Sequence, residues 1–408
     1  MFKEILVNVT EEETRVALLE DQILMELYIE RSLNQRLVGS IYKGKVENVL
    51  PGMQAAFVDI GYEKNAFLYV DEALPQKEAE GKVANYNILD VVKTGQDLLV
   101  QIVKEPIGNK GPRVTTHITL PGRYLVLMPL SDYIGISRRI EAEEERERLR
   151  ALSEKIKPEK MGVIVRTVAE GVSEEEIRQD MEILLRLWKR IQNKSASGPV
   201  PQLIHKDIDL VQRVIRDLFT EDIQRVSVDS PHVYEKILEI LEVIGSQWKY
   251  KVQLSNKGDL FDYYNLQLEI DKLLKRRVWL KCGGYLVIDT TEALTSIDVN
   301  TGKFVGTRNL EDTVVRTNLE AAKEIARQLR LRNLGGIIII DFIDMITEEA
   351  QKQVINELET ACAQDKTKSQ VLGITQLGLV EMTRKKVGQT LSVRYTSPCP
   401  NCDGSGRV

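Results

Sequence analysis

Ser296-Ile297-Asp298-Val299-Asn300 and Gly335-Gly336-Ile337-Ile338-Ile339-Ile340-Asp341-Phe342-Ile343-Asp344 are the two stretches on which the reading of this chain turns. The apolar run ahead of Asp341 reads as a buried strand, and Leu294 to Asn300 alternates like a second one. A helical segment lies between them, so both carboxylates are expected at strand ends. A period of two sets Asp298 and Asn300 on one face and Ile297 and Val299 on the other. The resulting donors are oxygen groups without His or Cys, a set that suits Mg²⁺ or Mn²⁺ rather than zinc. Aspartate also ends strands as a turn or cap residue, and spacing alone does not separate the two readings.

At 408 residues the chain is long enough for several domains, and 43% hydrophobic with 29% charged residues is the balance of a soluble globular protein. No apolar stretch is long enough to cross a bilayer, and Met1 to Val9 reads as a strand rather than a signal peptide, so a cytoplasmic protein without integral membrane association is expected. The net charge of −5 means that a nucleic-acid ligand would have to be drawn by local basic patches. Cys282 and Cys362 are isolated, whereas Cys399-Pro400-Asn401-Cys402 has the spacing of half a tetrahedral zinc site. That pair sits among Pro and Gly rather than opening a helix after a strand, as a redox pair would.

Along the chain, residues 1–35 hold three short apolar runs, the opening of a β-meander that needs a later segment to complete its layer. The candidate partner is 213–278, with a strand over Ile223 to Val228, a helix over Pro231 to Ile244 and another over Phe261 to Leu274. Between them, residues 36–118 alternate in strands broken by glycines, the pattern of a small closed barrel. Phe57 and Phe67, with Lys43, Lys110 and Arg113 nearby in sequence, offer stacking and phosphate contacts for single-stranded RNA, although a strand Phe is more often core. Gln76 to Asn87 reads as a long loop. In residues 119–212, Glu141 to Ile156 mixes both charge signs at helical spacing as a solvated face does, and Ser173-Glu174-Glu175-Glu176 is a capping box opening a helix toward Trp188. Ser195 to Pro201 is a turn or linker.

The Asp298 and Asp341 stretches, together with Asn318-Leu-Glu-Ala-Ala322 and Glu324-Ile-Ala-Arg-Gln-Leu-Arg-Leu-Arg332, closely resemble the catalytic region of the ribonuclease E/G family, and the resemblance runs to Val408. It implies an α/β multidomain protein: an RNase-H-like subdomain from 1–35 and 213–278, an inserted S1-type OB-fold at 36–118, a 5′-sensor region at 119–212, a DNase-I-like catalytic subdomain at 279–396 and a zinc link at 397–408. It assigns Asp298 and Asp341 to a catalytic Mg²⁺ and Asn300 to the third catalytic position, with Asp344 ranked below them. It places Phe57, Phe67 and Lys110 on the RNA-binding face. Gly162-Val-Ile-Val-Arg166-Thr167 is similar to the family's sensor for an RNA 5′ phosphate, with Lys368 where well-known members carry Arg, which keeps the charge and loses the planar fork. Cys399 and Cys402 would share one Zn²⁺ between two protomers, implying a homodimer, while typical members continue into a small C-terminal domain.

The function so implied is a metal-dependent endoribonuclease of the G type, cutting single-stranded RNA with stimulation by a 5′-monophosphate, in rRNA processing and mRNA decay. Attack by a metal-activated water would leave 5′-phosphate and 3′-hydroxyl ends. The three histidines, His117, His205 and His232, lie far apart in sequence, which does not favour a paired-histidine mechanism. The alternatives are a non-catalytic single-stranded RNA-binding protein and a DNA-directed phosphodiesterase on a related core.

Overall fold

The computed structural model describes residues 2–31, 37–73, 87–106, 110–244, 246–302, 310–397 and 399–402. The loop expected over Gln76 to Asn87 falls outside these residues except for Asn87, as do 398 and 403–408 of the C-terminal segment.

Strands β1 (Lys3–Val9), β2 (Glu13–Glu20) and β3 (Ile23–Arg31) form an antiparallel meander. Asp21 and Gln22 both take positive φ, the conformation that a two-residue hairpin turn demands. The chain then forms β4 (Ile41–Leu50), β5 (Ala55–Asp59), β6 (Ala66–Tyr69), β7 (Asp97–Lys104) and β8 (Arg113–Thr115). Their order is β4-β5-β6-β8-β7, and β7 pairs back onto β4, closing a five-stranded barrel compatible with an OB-like fold. Alternate residues Ala56, Val58, Ala66 and Leu68 fill its core. Gly44 is required where β4 crosses β5, because a Cβ there would stand 2.7 Å from the Asp59 carbonyl oxygen.

Strands β9 (Leu120–Pro121), β10 (Leu125–Met128), β11 (Ile134–Ile136) and β12 (Gly162–Val165) make a small sheet in the order β11-β12-β10-β9. It packs with helices α1 (Glu143–Ile156) and α2 (Glu174–Ala196) in one apolar core. The Ser173 side chain accepts a hydrogen bond from the Glu176 N–H, and Glu174, Glu175 and Glu176 fill the first turn, where the helix dipole favours negative charge. Leu149 and Leu152 of α1 turn inward, so the mixed-charge helix buries one side.

Strand β13 (Gln202–His205) returns to pair with β4. After α3 (Leu210–Leu218), β14 (Ile223–Val228) runs parallel to β1, and after α4 (Pro231–Ile244), β15 (Val252–Leu254) runs parallel to β14. The first sheet therefore reads β3-β2-β1-β14-β15 and is buried on both faces: Ile5 and Val7 meet α3 and α4, while Leu6 and Ala17 meet Phe261 and Ile270. The continuous helix expected over Phe261 to Leu274 is instead two, α5 (Leu260–Tyr263) and α6 (Leu266–Leu273). Asn265 breaks it by adopting a left-handed conformation at φ +56°, which Asn tolerates better than most residues.

The last sheet holds β16 (Arg277–Trp279), β17 (Tyr285–Thr290), β18 (Leu294–Asn300), β19 (Gly336–Asp341), β20 (Ser369–Ile374) and β21 (Val380–Arg384), ordered β16-β17-β18-β19-β21-β20. Helix α7 (Leu310–Leu331) is the crossover that the parallel β18–β19 pair requires, and α8 (Glu348–Ala363) follows β19. Both helices pack on one face through Ile297, Val299, Ile338, Ile340, Ile325 and Val354. Arg330 of α7 pairs with Glu26 at 2.6 Å, and Arg327 donates to the Leu24 carbonyl at 2.9 Å, fixing this sheet to the first.

Candidate active site on the open sheet face

Because β18 and β19 run parallel in register, Asp298 and Asp341 are direct cross-strand partners at the carboxyl ends of adjacent strands. Their backbones are about 4.8 Å apart at ordinary strand spacing. The pleat decides their direction: Ile297, Val299 and Ile340 enter the core beneath, and both carboxylates emerge exposed on the other face. Asn300 joins them there, its amide donating to Asp298 Oδ2 at 2.6 Å. The bond consumes one amide hydrogen and leaves a second donor. Asp344, exposed in the segment after β19, continues the acidic rim. Among the described residues no cluster of three or more His, Cys, Asp or Glu assembles to hold a metal. Two adjacent carboxylates repel one another, and a divalent cation between them removes that repulsion. A pair of carboxylates with otherwise open coordination fits Mg²⁺, which keeps several of its waters.

In the barrel, Phe57 and Phe67 are cross-strand partners on β5 and β6. Neither is fully buried, since the alternate positions supply the core. Their rings meet edge to face with centroids 5.5 Å apart, and Tyr69 extends the row at 4.5 Å from Phe67. Arg113 lies over Tyr69 at 4.5 Å and pairs with Glu72 at 3.1 Å. Tyr69 was not anticipated, although its place two residues after Phe67 on a strand was the available signal. Lys110 is exposed and Lys43 half-buried.

Arg166 follows β12 and is held from three sides. Nη1 donates to the carbonyls of Gly122 at 2.6 Å and Arg123 at 3.1 Å, and Nη2 pairs with Asp217 at 2.8 Å. The carbonyl loop is itself fixed by Asp180, whose buried carboxylate accepts from the N–H groups of Arg123, Tyr124 and Leu125. Gly122 has no substitute here, because a Cβ would come within 2.5 Å of Asp180 Oδ2. Burial pushes the Asp217 carboxyl up, but hydrogen bonds and charge from Arg216 and Arg166 outweigh it and hold the group below the usual carboxylate range. The Thr167 hydroxyl is 2.8 Å from that of Ser137. Arg139 donates to the Asp365 carbonyl at 2.6 Å, and Lys366 donates to the Asp217 carbonyl at 3.2 Å. These contacts dock the segment leading to the exposed Lys368 against this region.

Cys399 is exposed and Cys402 half-buried, and neither forms a disulfide. Their side chains supply at most two thiolates of a tetrahedral set, so a zinc held by them needs two further ligands. The structure thus brings together two sets from paired strands, the Asp298–Asn300–Asp341 group and the Phe57–Phe67 pair, whereas Arg166 and Thr167 are sequence neighbours after β12 whose side chains meet Asp217 and Ser137 respectively.

A sequence model of the Ribonuclease E/G family matches residues 119–387. The chain is 47% identical to ribonuclease G of Salmonella typhimurium over 100% of its length and 85% of that protein. It is 48% identical to ribonuclease G of Haemophilus influenzae over 99% of its length and 84% of that protein. A further relative, ribonuclease E of a Nostoc species, is 44% identical over 95% of this chain and 56% of its own length. With both carboxylates of the resemblance side by side on one sheet face and relatives matching from end to end, this chain belongs to the ribonuclease E/G family.

Proposed function

We propose that the chain is an endoribonuclease that hydrolyses phosphodiester bonds in single-stranded RNA, with stimulation by a 5′-monophosphate, in rRNA processing and mRNA decay. The observation that carries the reading is the in-register meeting of Asp298 and Asp341 on an open face, with Asn300 bonded to Asp298. Asp298 and Asp341 would hold Mg²⁺, which when bound supplies charge stabilisation at the phosphate and an acidified water. Asp298 fixes the Asn300 amide, whose remaining N–H would bind a non-bridging oxygen and orient the scissile group. The face is broad and open rather than enclosed, which suits a polymer strand crossing it. The test is to map the cut ends on a defined 5′-monophosphorylated RNA with and without Mg²⁺. Metal-dependent cuts leaving 5′-phosphate ends are expected, and 2′,3′-cyclic ends would refute attack by water. A non-catalytic RNA-binding protein would have no need for two abutting surface carboxylates beside a polyanion, and DNA of the same sequence distinguishes a DNA-directed enzyme.

In this reading the first sheet is the RNase-H-like subdomain, the barrel an S1-type OB-fold that takes RNA on Phe57, Phe67 and Lys110, and the last sheet the DNase-I-like catalytic subdomain. Among the described residues no helix is long and apolar enough to cross a membrane, and we place the enzyme in the cytoplasm.

Arg166, Thr167 and Lys368 are assigned to the 5′-phosphate sensor. Asp217 already occupies one arm of Arg166, so an incoming phosphate has to compete with a carboxylate for that guanidinium. A compact pocket around one phosphate discriminates against a triphosphate by size and unmatched charge, without reading a base. Arg166→Ala is expected to slow cleavage of 5′-monophosphorylated RNA by about tenfold or more, what one hydrogen bond to a charged group at the lower end of ~1.5–3 kcal/mol supplies, and to leave 5′-hydroxyl RNA nearly unaffected. Equal losses on both substrates would assign Arg166 to folding or general RNA binding.

Cys399 and Cys402 are assigned to a zinc shared between two protomers. Purified protein should then contain about one Zn²⁺ per two chains. The Cys399→Ser, Cys402→Ser double variant should lose the metal and sediment as a monomer. One zinc per chain, or a dimer that survives the substitutions, would overturn the link.

A further inference from the structure

The open face carries more than its two carboxylates. In a paired sheet, registered partners share a face. Arg277 of β16 is opposite Val287, Val287 is opposite Asp298, and Asp298 is opposite Asp341. In the next row Trp279 is opposite Tyr285, and Tyr285 is opposite Asn300. Trp279 is therefore two strands from Asn300, about 10 Å at ordinary spacing. The intervening positions Val278, Leu286 and Ile288 face the helices instead.

Trp279 is 64% exposed, whereas Trp188 and Trp248 are 4% and 9% exposed. Its ring meets that of Tyr285 edge to face at 5.3 Å, and the Arg277 guanidinium lies 4.5 Å from the Tyr285 ring centre and 5.8 Å from that of Trp279. Edge strands are commonly protected by charged side chains, and a largely exposed indole adds little to folding by burial. An aromatic pair with a cation lying over both rings has the composition of a single-strand binding surface.

We propose that Trp279, Tyr285 and Arg277 form a nucleotide subsite for single-stranded RNA, next to the scissile phosphate. The proposal rests on the endoribonuclease reading and adds a positioning element to the same face. A base stacks on the exposed indole while Arg277 meets a flanking phosphate. Two observations commit the surface to RNA. Trp279 and Tyr285 share the Asn300 row, and in the neighbouring row Arg277 stands at the opposite end from Asp298 and Asp341, which repel the backbone when no metal is bound. The subsite tolerates any base, since every base offers a π-face and stacking on these rings reads no base edge.

The exposed position of Trp279 supplies a direct probe. Titrating the full chain with a short single-stranded oligoribonucleotide, without divalent cations, should quench tryptophan fluorescence, and Trp279→Phe should abolish the quenching while retaining most of the affinity. Trp279→Ala should weaken RNA binding and raise KM by about 5- to 150-fold, the range for one lost stacking contact. Arg277→Gln should flatten the logarithmic salt dependence of binding by about one unit. Wild-type binding and KM in Trp279→Ala, alongside weakened binding in Phe57→Ala, would overturn the subsite and leave the endoribonuclease reading standing. Conversion of a dimer to a monomer by Trp279→Ala with KM unchanged would also overturn it and make the face a contact between copies. Failure of the unsubstituted chain to bind RNA at all would sink the parent reading, a separate result.

Discussion

Asp298→Asn and Asp341→Asn are each expected to lower the cleavage rate on single-stranded RNA on the order of a thousandfold while leaving RNA affinity essentially unchanged. The size follows from the chemistry. Charge stabilisation by a well-held divalent ion is worth several kcal/mol, and ~4 kcal/mol is about a thousandfold in rate. Each substitution keeps the shape of the side chain and removes one of the two negative charges that would hold the ion, so the surviving carboxylate binds it far more weakly. Affinity should persist because the Phe57–Phe67–Tyr69 row belongs to a separate barrel with its own core. Single-turnover cleavage and fluorescence anisotropy on the same labelled RNA separate the two quantities. Near wild-type cleavage in either variant would remove these aspartates from the site. Raising Mg²⁺ should partly restore Asp341→Asn if the defect is metal affinity.

The parts of this site differed in how far they could be read from the chain. That Asp298 and Asp341 end strands was legible, because local alternation and an apolar run specify strands without reference to anything distant. That the two strands are parallel neighbours in register was not, because pairing across the α7 crossover is set by the packing of Ile297, Ile338 and Ile340 beneath both helices. The resemblance to a family supplied only the assignment of both aspartates to one ion, and the register is what sets them side by side. Phe57 and Phe67 show the same division. Each alone reads as core, and only their cross-strand pairing, with Ala56, Val58, Ala66 and Leu68 filling the barrel, turns them outward together. The break in the 260–273 helical region was missed because periodicity continues across Asn265 while its backbone does not. The Arg166–Asp217 pair had no local signature, since Arg166 follows β12 while Asp217 lies on helix α3, and the two meet only in the folded chain.

The other large effect is on stability, beneath the same sheet. Arg384 ends β21 with its side chain 4% exposed, and Nε donates to Asp365 Oδ2 at 2.7 Å, the Asp365 side chain being 10% exposed. Nη1 donates to the Leu334 carbonyl at 2.7 Å, just before β19. Asp365 also accepts from the Thr367 N–H at 2.8 Å, so one carboxylate ties the end of α8 to the strand beside the one carrying Asp341. Nearby, burial and then the charge of Asp365 push the Cys362 thiol up to about 11, leaving it an uncharged part of the core at neutral pH. Asp365→Ala strands a guanidinium in that interior. Removing one partner of a buried pair costs ~3–5 kcal/mol, because the remaining charge keeps its desolvation penalty without its counterion. The exposed pair of Lys352 and Glu348, with side chains 74% and 82% exposed, provides the contrast. Lys352→Ala should cost at most about 0.5 kcal/mol, the scale of a surface helix pair. Denaturant unfolding of the two variants should therefore differ severalfold in lost stability. Asp365→Asn, which keeps a hydrogen-bond acceptor, should fall between them. Because β21 flanks β19, Asp365→Ala should lose cleavage at a lower temperature than it loses RNA binding by the barrel. Equal, small losses in Asp365→Ala and Lys352→Ala would mean that water reaches Arg384 and that this pair does not hold the sheet carrying Asp298 and Asp341.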